Sequence, residues 1–474
     1  MTSDARLDAA SGNQAPDAPR GIFSSRYLWV TIGACALVFL AAFESLAVTT
    51  IMPLVSDDLD GAALYALAFA GPLATGVIGM VFAGNWSDRN GPIAPLLTSV
   101  AVFIVGLLVA GLATDMTMFL VGRLVQGLGS GAMNVALYVV VARIYPPTLH
   151  ARIFAGFAAA WVVPSLIGPF AAGIVAEATS WHWVFLGVVV LVLLAMLMVV
   201  PAIRMLRGGP QPDPSTRPGW AFGKIAWALL AAAAVLGLNL SSQLDGALVG
   251  VVAVLAIVVA LIAVRPLIPV GTLRAARGLP AVILLRGLIA AAFFGAEVYI
   301  PYLLTDRYGF SASLSGLALT GAALTWATAS WLQGRLDGIL SHVNAMRIGT
   351  VLVLVAIALA VATAAAELSP AVVIGGWLLG GAGMGLMYPR LSVMTLSYST
   401  PSNQGFNSSA LSISDSLGAA LALASTGIVF AALVGIGGSW PFAGCFALAA
   451  VISCVALSIA SRVGTGRCID DARV

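Results

Sequence analysis

The feature that most limits this chain is the length of its apolar runs. From Leu28 onward the sequence is a succession of stretches about 20 residues long, nearly free of charge, separated by short breaks of Gly, Pro or charged residues. A helix needs ~20 such residues to cross a hydrocarbon layer about 30 Å thick. Reading for them gives fourteen candidate spans, at 28–55, 62–85, 94–113, 116–144, 152–177, 182–203, 225–241, 246–264, 280–304, 313–336, 346–366, 370–397, 405–434 and 439–461. With 474 residues, 60% hydrophobic and 9% charged, no soluble core hides this much apolar surface. The expected fold class is an all-α polytopic membrane protein with a retained first span.

Charge tests the count. With the N-terminus in the cytoplasm and sides alternating, nineteen of the 22 basic residues fall inside or at the inner edge, Arg286 among them. Only Arg307 falls outside, while Arg123 and Arg390 stay within spans. This obeys the positive-inside rule. The outer loops are short and acidic, as in "SDDLDG" at 56–61. Losing two spans would keep the sorting, so twelve remains open if 225–264 does not cross. A net charge of +3 gives no nucleic-acid surface. The four cysteines show no metal or CxxC spacing, and no metal or other cofactor is expected.

An internal repeat divides the chain. "GRLVQGLGSGAMNVALYVVVARIY" starts at Gly122 and "GWLLGGAGMGLMYPRLSVMTLSYS" at Gly376. In this register Gly122, Gly127, Gly129 and Gly131 fall on Gly376, Gly381, Gly383 and Gly385. Small residues at this spacing let helix backbones approach closely. The expected organisation is a disordered cytoplasmic tail (1–27), a six-helix bundle (28–204), a Pro/Gly-rich linker (205–224), an inserted helical hairpin (225–264), a second linker (265–279), a second six-helix bundle (280–462) and a cytoplasmic tail (463–474).

Three motifs follow in order. The loop after the second span reads "AGNWSDRNGP", with Gly84, Asp88, Arg89 and Gly91. The fourth span carries Arg123, Gln126 and Gly127 in "GRLVQGLGSG". The fifth carries Gly168, Pro169 and Gly173 in "WVVPSLIGPFAAG". Together these resemble the major facilitator superfamily and, within it, the fourteen-span drug–proton antiporters. The resemblance implies a conformational latch at the loop motif, a part for Arg123 in proton relay, and an export-type fifth span. The sequence departs from the pattern in places. "GPIAPL" stands where the loop motif continues with basic residues, so a latch here needs other partners. Pro164 and Ala172 stand where the fifth-span motif has glycines, and Glu44 where the subgroup often has Asp. Asp337, in "GRLDGILSHVNAMR", only loosely echoes the loop motif.

Buried charge singles out further residues, because an ionised group at mid-membrane costs at least ~2.5–3.5 kcal/mol. Glu44 (in "LAAFESLAVTTIMP"), Glu297 (in "AAFFGAEVYIPYLL") and Asp415 (in "SALSISDSLGAA") are the acids so placed. A carboxyl sheds this cost by taking a proton, which makes each a candidate coupling group; the alternative is a structural carboxylate satisfied by a hydroxyl or an Arg. Thr49 and Thr50 are the nearest polar neighbours of Glu44 in sequence, and Ser412, Ser414 and Ser416 those of Asp415. Pro301 frees the Glu297 carbonyl and predicts a kink there. Arg390 is expected to reach the inner interface along its own stem. Phe293, Phe294, Tyr299, Tyr302 and Trp326 are candidates to line an apolar cavity.

The expectation is a monomeric, proton-driven exporter in a bacterial inner membrane, both termini cytoplasmic, using the proton gradient in place of a cofactor. Its cargo would be a lipophilic or cationic small molecule, including a lipid. A proton-coupled importer of peptide type is the runner-up, although "FESLAV" lacks that group's E-x-x-E-R. A lipid scramblase or membrane enzyme is the rival class; no catalytic motif supports an enzyme.

Overall fold

The computed structural model describes residues 21–60, 65–207, 219–240, 247–310, 312–335 and 340–464. Most of both tails, the linker residues 208–218, the hairpin tip 241–246 and Asp337 lie outside the described residues. The described chain is helical: α1 Leu28–Asp58, α2 Tyr65–Asn90, α3 Ile93–Gly111, α4 Met116–Ile144, α5 Pro147–Ala178, α6 His182–Arg207, α7 Phe222–Leu240, α8 Ala247–Val264, α9 Leu279–Glu297, α10 Tyr299–Tyr308, α11 Ala312–Arg335, α12 His342–Ala366, α13 Pro370–Ser397, α14 Gln404–Leu433 and α15 Trp440–Ala460. Each expected span falls on a helix, the ninth on α9 and α10 together. Ten segments of the described chain are long and apolar enough to cross a membrane. The protein is a multi-pass membrane protein.

The helices pack as two bundles with the same internal plan. In α1–α6, α4 lies between α2 and α3, while α1 runs along α5 and α6. In α9–α15, α13 lies between α11 and α12, and α9 runs along α14 and α15. The repeated glycines explain this plan. A Cβ on Gly127 would strike the backbone of Pro72 on α2, and one on Gly381 the backbone of Ala322 on α11. Matching threonines bridge the same seams: Thr75 Oγ1 donates to the Leu124 carbonyl at 2.7 Å, and Thr325 Oγ1 to that of Leu378 at 2.8 Å.

Between bundles α2 meets α14 and α5 meets α11, a pairing that a twofold exchange of the halves leaves unchanged. The hairpin α7–α8 breaks that symmetry. It packs on α2 and α14, and shares one apolar cluster with them that includes Val77, Val81, Ala231, Val235, Leu411 and Leu417.

Prolines inside helices leave carbonyls without their usual partner, and in lipid these must be satisfied by protein. Pro72 frees the Ala68 carbonyl, which accepts from Arg123 Nε at 3.3 Å. Pro389 frees the Gly385 carbonyl, which accepts from Ser330 Oγ at 3.1 Å. Pro301 does the same to Glu297, and the ladder is interrupted there: α9 ends at Glu297 and α10 begins at Tyr299. The interruption falls at the place where the sequence put a Pro301 kink.

The seams predict a graded response to added side chains. Gly127→Leu or Gly381→Leu should destabilise by ~1–3 kcal/mol or more, since backbone cannot yield to the new atoms. Gly375→Ala, which meets nothing within 4 Å, should stay within about 0.5 kcal/mol of the parent. Thermal unfolding in detergent, followed by tryptophan fluorescence, separates the two classes.

Candidate functional site

Glu44 is buried on α1, and its partner comes from α4. Arg123 Nη1 donates to Glu44 Oε1 in a short ion pair, and to Gln126 Oε1 at 2.7 Å. With its Nε on the carbonyl freed by Pro72, Arg123 ties α1, α2 and α4 together. All three residues are nearly inaccessible, at 5% for Glu44, 4% for Arg123 and 1% for Gln126. The sequence suggested Thr49 and Thr50 beside Glu44, but their side chains lie outside the described residues. The counter-charge is a residue 79 positions away, which no local reading finds.

Glu297 occupies the corresponding place in the second bundle. The register that carries Gly122 onto Gly376 carries Arg123 onto Trp377 and Glu44 to within one residue of Glu297. The pairing persists with a changed partner: Glu297 has the Trp377 indole as its polar neighbour, at a geometry short of a formal hydrogen bond. Glu44 therefore faces a fixed cation and Glu297 an aromatic ring. Trp377 stacks on Phe293, with centroids 4.7 Å apart. Phe293 meets Phe294 and Trp326 edge-on, each at 5.6 Å, and Trp326 meets Tyr388 at 4.9 Å.

The five aromatic candidates thus separate. Phe293, Phe294 and Trp326 form one cluster near Glu297, in which Phe293 is fully enclosed. Tyr299 and Tyr302 belong to another, each 5.4 Å from Phe430, and Tyr302 is exposed on its outer side.

Asp415 is not solvated by the serines around it. Arg286 Nε donates to Asp415 Oδ1 at 2.7 Å, and Tyr388 Oη donates to the same oxygen at 2.8 Å. The Arg286 guanidinium also lies over the Tyr388 ring at 3.4 Å and donates to the Tyr388 carbonyl at 3.2 Å. Ser414 instead turns to the Ile283 carbonyl. Arg286, sorted by sequence to the inner edge, is buried in the bundle. The signal was its place six residues inside the ninth span, where a base needs an acid. Arg390 is likewise corrected: it is 1% exposed and does not reach out to an interface. Its Nε donates to Gln333 Oε1 at 3.0 Å and its Nη1 to the Leu340 carbonyl at 2.7 Å, so it satisfies groups near the end of α11 and just before α12.

The loop motif sits where the bundles meet, at the face that carries Arg89, Arg143, Lys224, Arg335 and Arg347, here termed the basic face. Asp88 Oδ1 accepts from the Gly405 N–H at 2.6 Å and Oδ2 from the Phe406 N–H at 2.8 Å. A residue of the first bundle thereby caps the first turn of α14 in the second, meeting both its orphan donors and its positive end. Gly84 and Gly405 make this approach possible, because a Cβ on either would strike the other's carbonyl. Gly91, with φ +80°, turns the chain from α2 into α3, and Arg143 Nη2 donates to the Pro401 carbonyl at 3.1 Å. In the fifth-span motif, Gly168 packs on Phe43 of α1, next to Glu44. Gly173 faces open space, and the Pro169 side chain lies outside the described residues.

Comparisons with known proteins agree with this arrangement. Residues 34–422 match the family described as the Major Facilitator Superfamily. The multidrug efflux pump SdrM of Staphylococcus aureus is 24% identical over 423 residues, covering 86% of this chain and 91% of that protein. The multidrug transporter protein MdtP of Bacillus subtilis is 24% identical, covering 78% and 69%. Among solved structures, the human organic anion transporter MFSD10 aligns with TM-score 0.64 at 16% identity, covering 91% of this chain and 99% of that one. The proton:xylose symporter XylE aligns with TM-score 0.63 at 13% identity, covering 89% and 94%. At these identities the structural likeness shows the fold alone. Two bundles of matching plan, joined at a basic face and matched by the family over most of their length, leave one assignment: the chain belongs to the Major Facilitator Superfamily of membrane transporters.

Proposed function

We propose that the protein is a proton-coupled exporter of lipophilic or cationic small molecules, built of fourteen spans and working by alternating access as a monomer, with the basic face in the cytoplasm of a bacterial cell. The observation that carries this reading is the unequal treatment of two equivalent acids. Glu44 is held by Arg123, so its charge is compensated whatever else is bound. Glu297 has no basic partner among the described contacts, so a proton or a cationic solute is what neutralises it. A group that accepts either, but not both, exchanges one for the other. Positive charge on the solute and the neighbouring rings would add cation–π attraction.

Asp415 enters as a second ionised pair with Arg286, at the junction of α9, α13 and α14. Arg123 holds three helices around Glu44 and transmits a change at that acid to α2 and α4. On this reading the basic face is the cytoplasmic one, and the capped end of α14 is what closes it. Breaking it is the step that admits solute from the cell interior. The names of SdrM and MdtP support drugs as the solutes carried.

Uptake into inverted vesicles under an imposed pH gradient, over lipophilic cations, neutral drugs and lipids, tests the reading. Glu297→Gln should abolish gradient-driven transport while leaving stability within about 1 kcal/mol, since no ion pair is broken. Glu44→Gln should lose transport and also ~3–5 kcal/mol of stability, because it strands a buried guanidinium. Uphill transport by both variants would overturn the assignment. Transport that ignores the gradient in the parent protein would point to a scramblase instead.

Removing the cap should shift the conformational balance. Asp88→Asn should weaken the closed basic face by ~0.5–2 kcal/mol, read as faster labelling of a cysteine placed at Ser409 on the covered side of α14.

A further inference from the structure

The loop motif ends in Gly91 followed by Pro92, Ile93 and Ala94, with none of the bases expected there. The structure brings cations to Asp88 from elsewhere: Arg143 of α4 and, from the hairpin, Lys224. Lys224, in the first turn of α7, places Nζ 3.5 Å from the centroid of the Phe406 ring. Phe406 is the residue whose N–H Asp88 accepts. Lys224 and Asp88 feel each other's charge across a shared cavity of about 230 Å³, whose wall also includes Asn85, Asn403 and Phe406.

The base of the hairpin is fixed to the other bundle. The Ala221 N–H donates to Asn85 Oδ1 at 3.3 Å. The Trp220 ring lies 5.6 Å from that of Phe82 and 6.5 Å from that of Trp86, with the Arg89 guanidinium 6.0 Å above it. Phe82, Asn85, Trp86 and Arg89 all belong to the end of α2 that carries the loop motif. Beyond this base, α7 lies along α2 and only its edge touches α14.

We infer that the inserted hairpin is a strap across the α2–α14 seam, carried by the N-terminal bundle and gripping the C-terminal bundle through Lys224 on Phe406, so that it adds a second latch cation to Arg143 where the loop motif has none of its own. The strap strengthens the closed basic face by holding the capped turn of α14 beside Asp88, at the cavity the two side chains share. When the bundles part, the Trp220 anchor travels with α2 and the Lys224 contact is what breaks. The proposal concerns the scaffold and holds whatever solute is carried and whether or not protons drive it.

Spin labels at Arg204→Cys and Arg347→Cys, exposed on the basic-face ends of α6 and α12, report the separation of the bundles. The four native cysteines are replaced by Ser, and distances are measured on the full chain in lipid nanodiscs. The parent should show a dominant short distance. Lys224→Ala and Phe406→Leu should each raise the ratio of long to short distances by about three- to tenfold, the scale of a partly desolvated cation–π contact. The double variant should shift no further than either single one, and Lys224→Arg should restore the parent distribution. A melting curve on each variant separates loss of the grip from loss of the fold. An unchanged distribution in Lys224→Ala, in a protein where Asp88→Asn does shift it, overturns the proposal. So does a double variant whose shift is the full product of the two.

Discussion

The constraint on which this structure depends is the absence of water from the hydrocarbon layer. Every polar group in a span must find its partner inside the protein. That condition fixes more than helicity. It explains why Arg123 reaches the carbonyl that Pro72 releases, why Ser330 answers Pro389, and why Arg390 spends its donors near the end of α11 and just before α12. Each is a local interruption of a helix satisfied by a side chain from a neighbour. The helices are therefore tied to one another at the places where their own ladders fail, and the ties run within a bundle. Among the described residues, it is at the basic face that one bundle satisfies the backbone of the other, where Asp88 caps α14 and Arg143 meets Pro401.

The two bundles show how a duplicated plan acquires unequal chemistry. The threonine bridges and close-packed glycines are kept in both halves, because backbone contact leaves no freedom there. The position opposite the buried acid is not so bound. Arginine in one half and tryptophan in the other both fill the space between α9 or α1 and their neighbours, yet they differ by a full charge. The first half thereby keeps a compensated pair. The second keeps an acid against a ring, with stacked aromatics leading from it towards the Asp415–Arg286 pair. A repeat that looks symmetric in its packing is polarised in its electrostatics.

Much of the fold was legible in the sequence, since apolar length and small-residue spacing depend on composition along one helix. The spans, the repeat, the break after Glu297 and the three motif segments all needed only local reading. The partners of the charges did not yield to it. Glu44 and Arg123, Arg286 and Asp415, Lys224 and Phe406 are far apart in the chain, and the spacing within any helix is silent about what the facing helix presents. Where local reading named a neighbour, as with the serines around Asp415, it named residues adjacent on the same helix, of which Ser414 is turned to another acceptor. Arg286 shows the same limit: a charge near the end of an apolar run reads as interfacial, and its pairing with Asp415 stays hidden until the facing helix is seen.

The hairpin has one more effect, which follows from lying on a single flank. Among the described residues it thickens the wall beside α2 and α14 and leaves the opposite wall, formed by α5 and α11, without a cover of its own. A molecule diffusing in the plane of the bilayer therefore meets two different sides of the protein, one padded and one bare. An object whose halves are related by a twofold pattern thus acquires a front and a back towards the lipid.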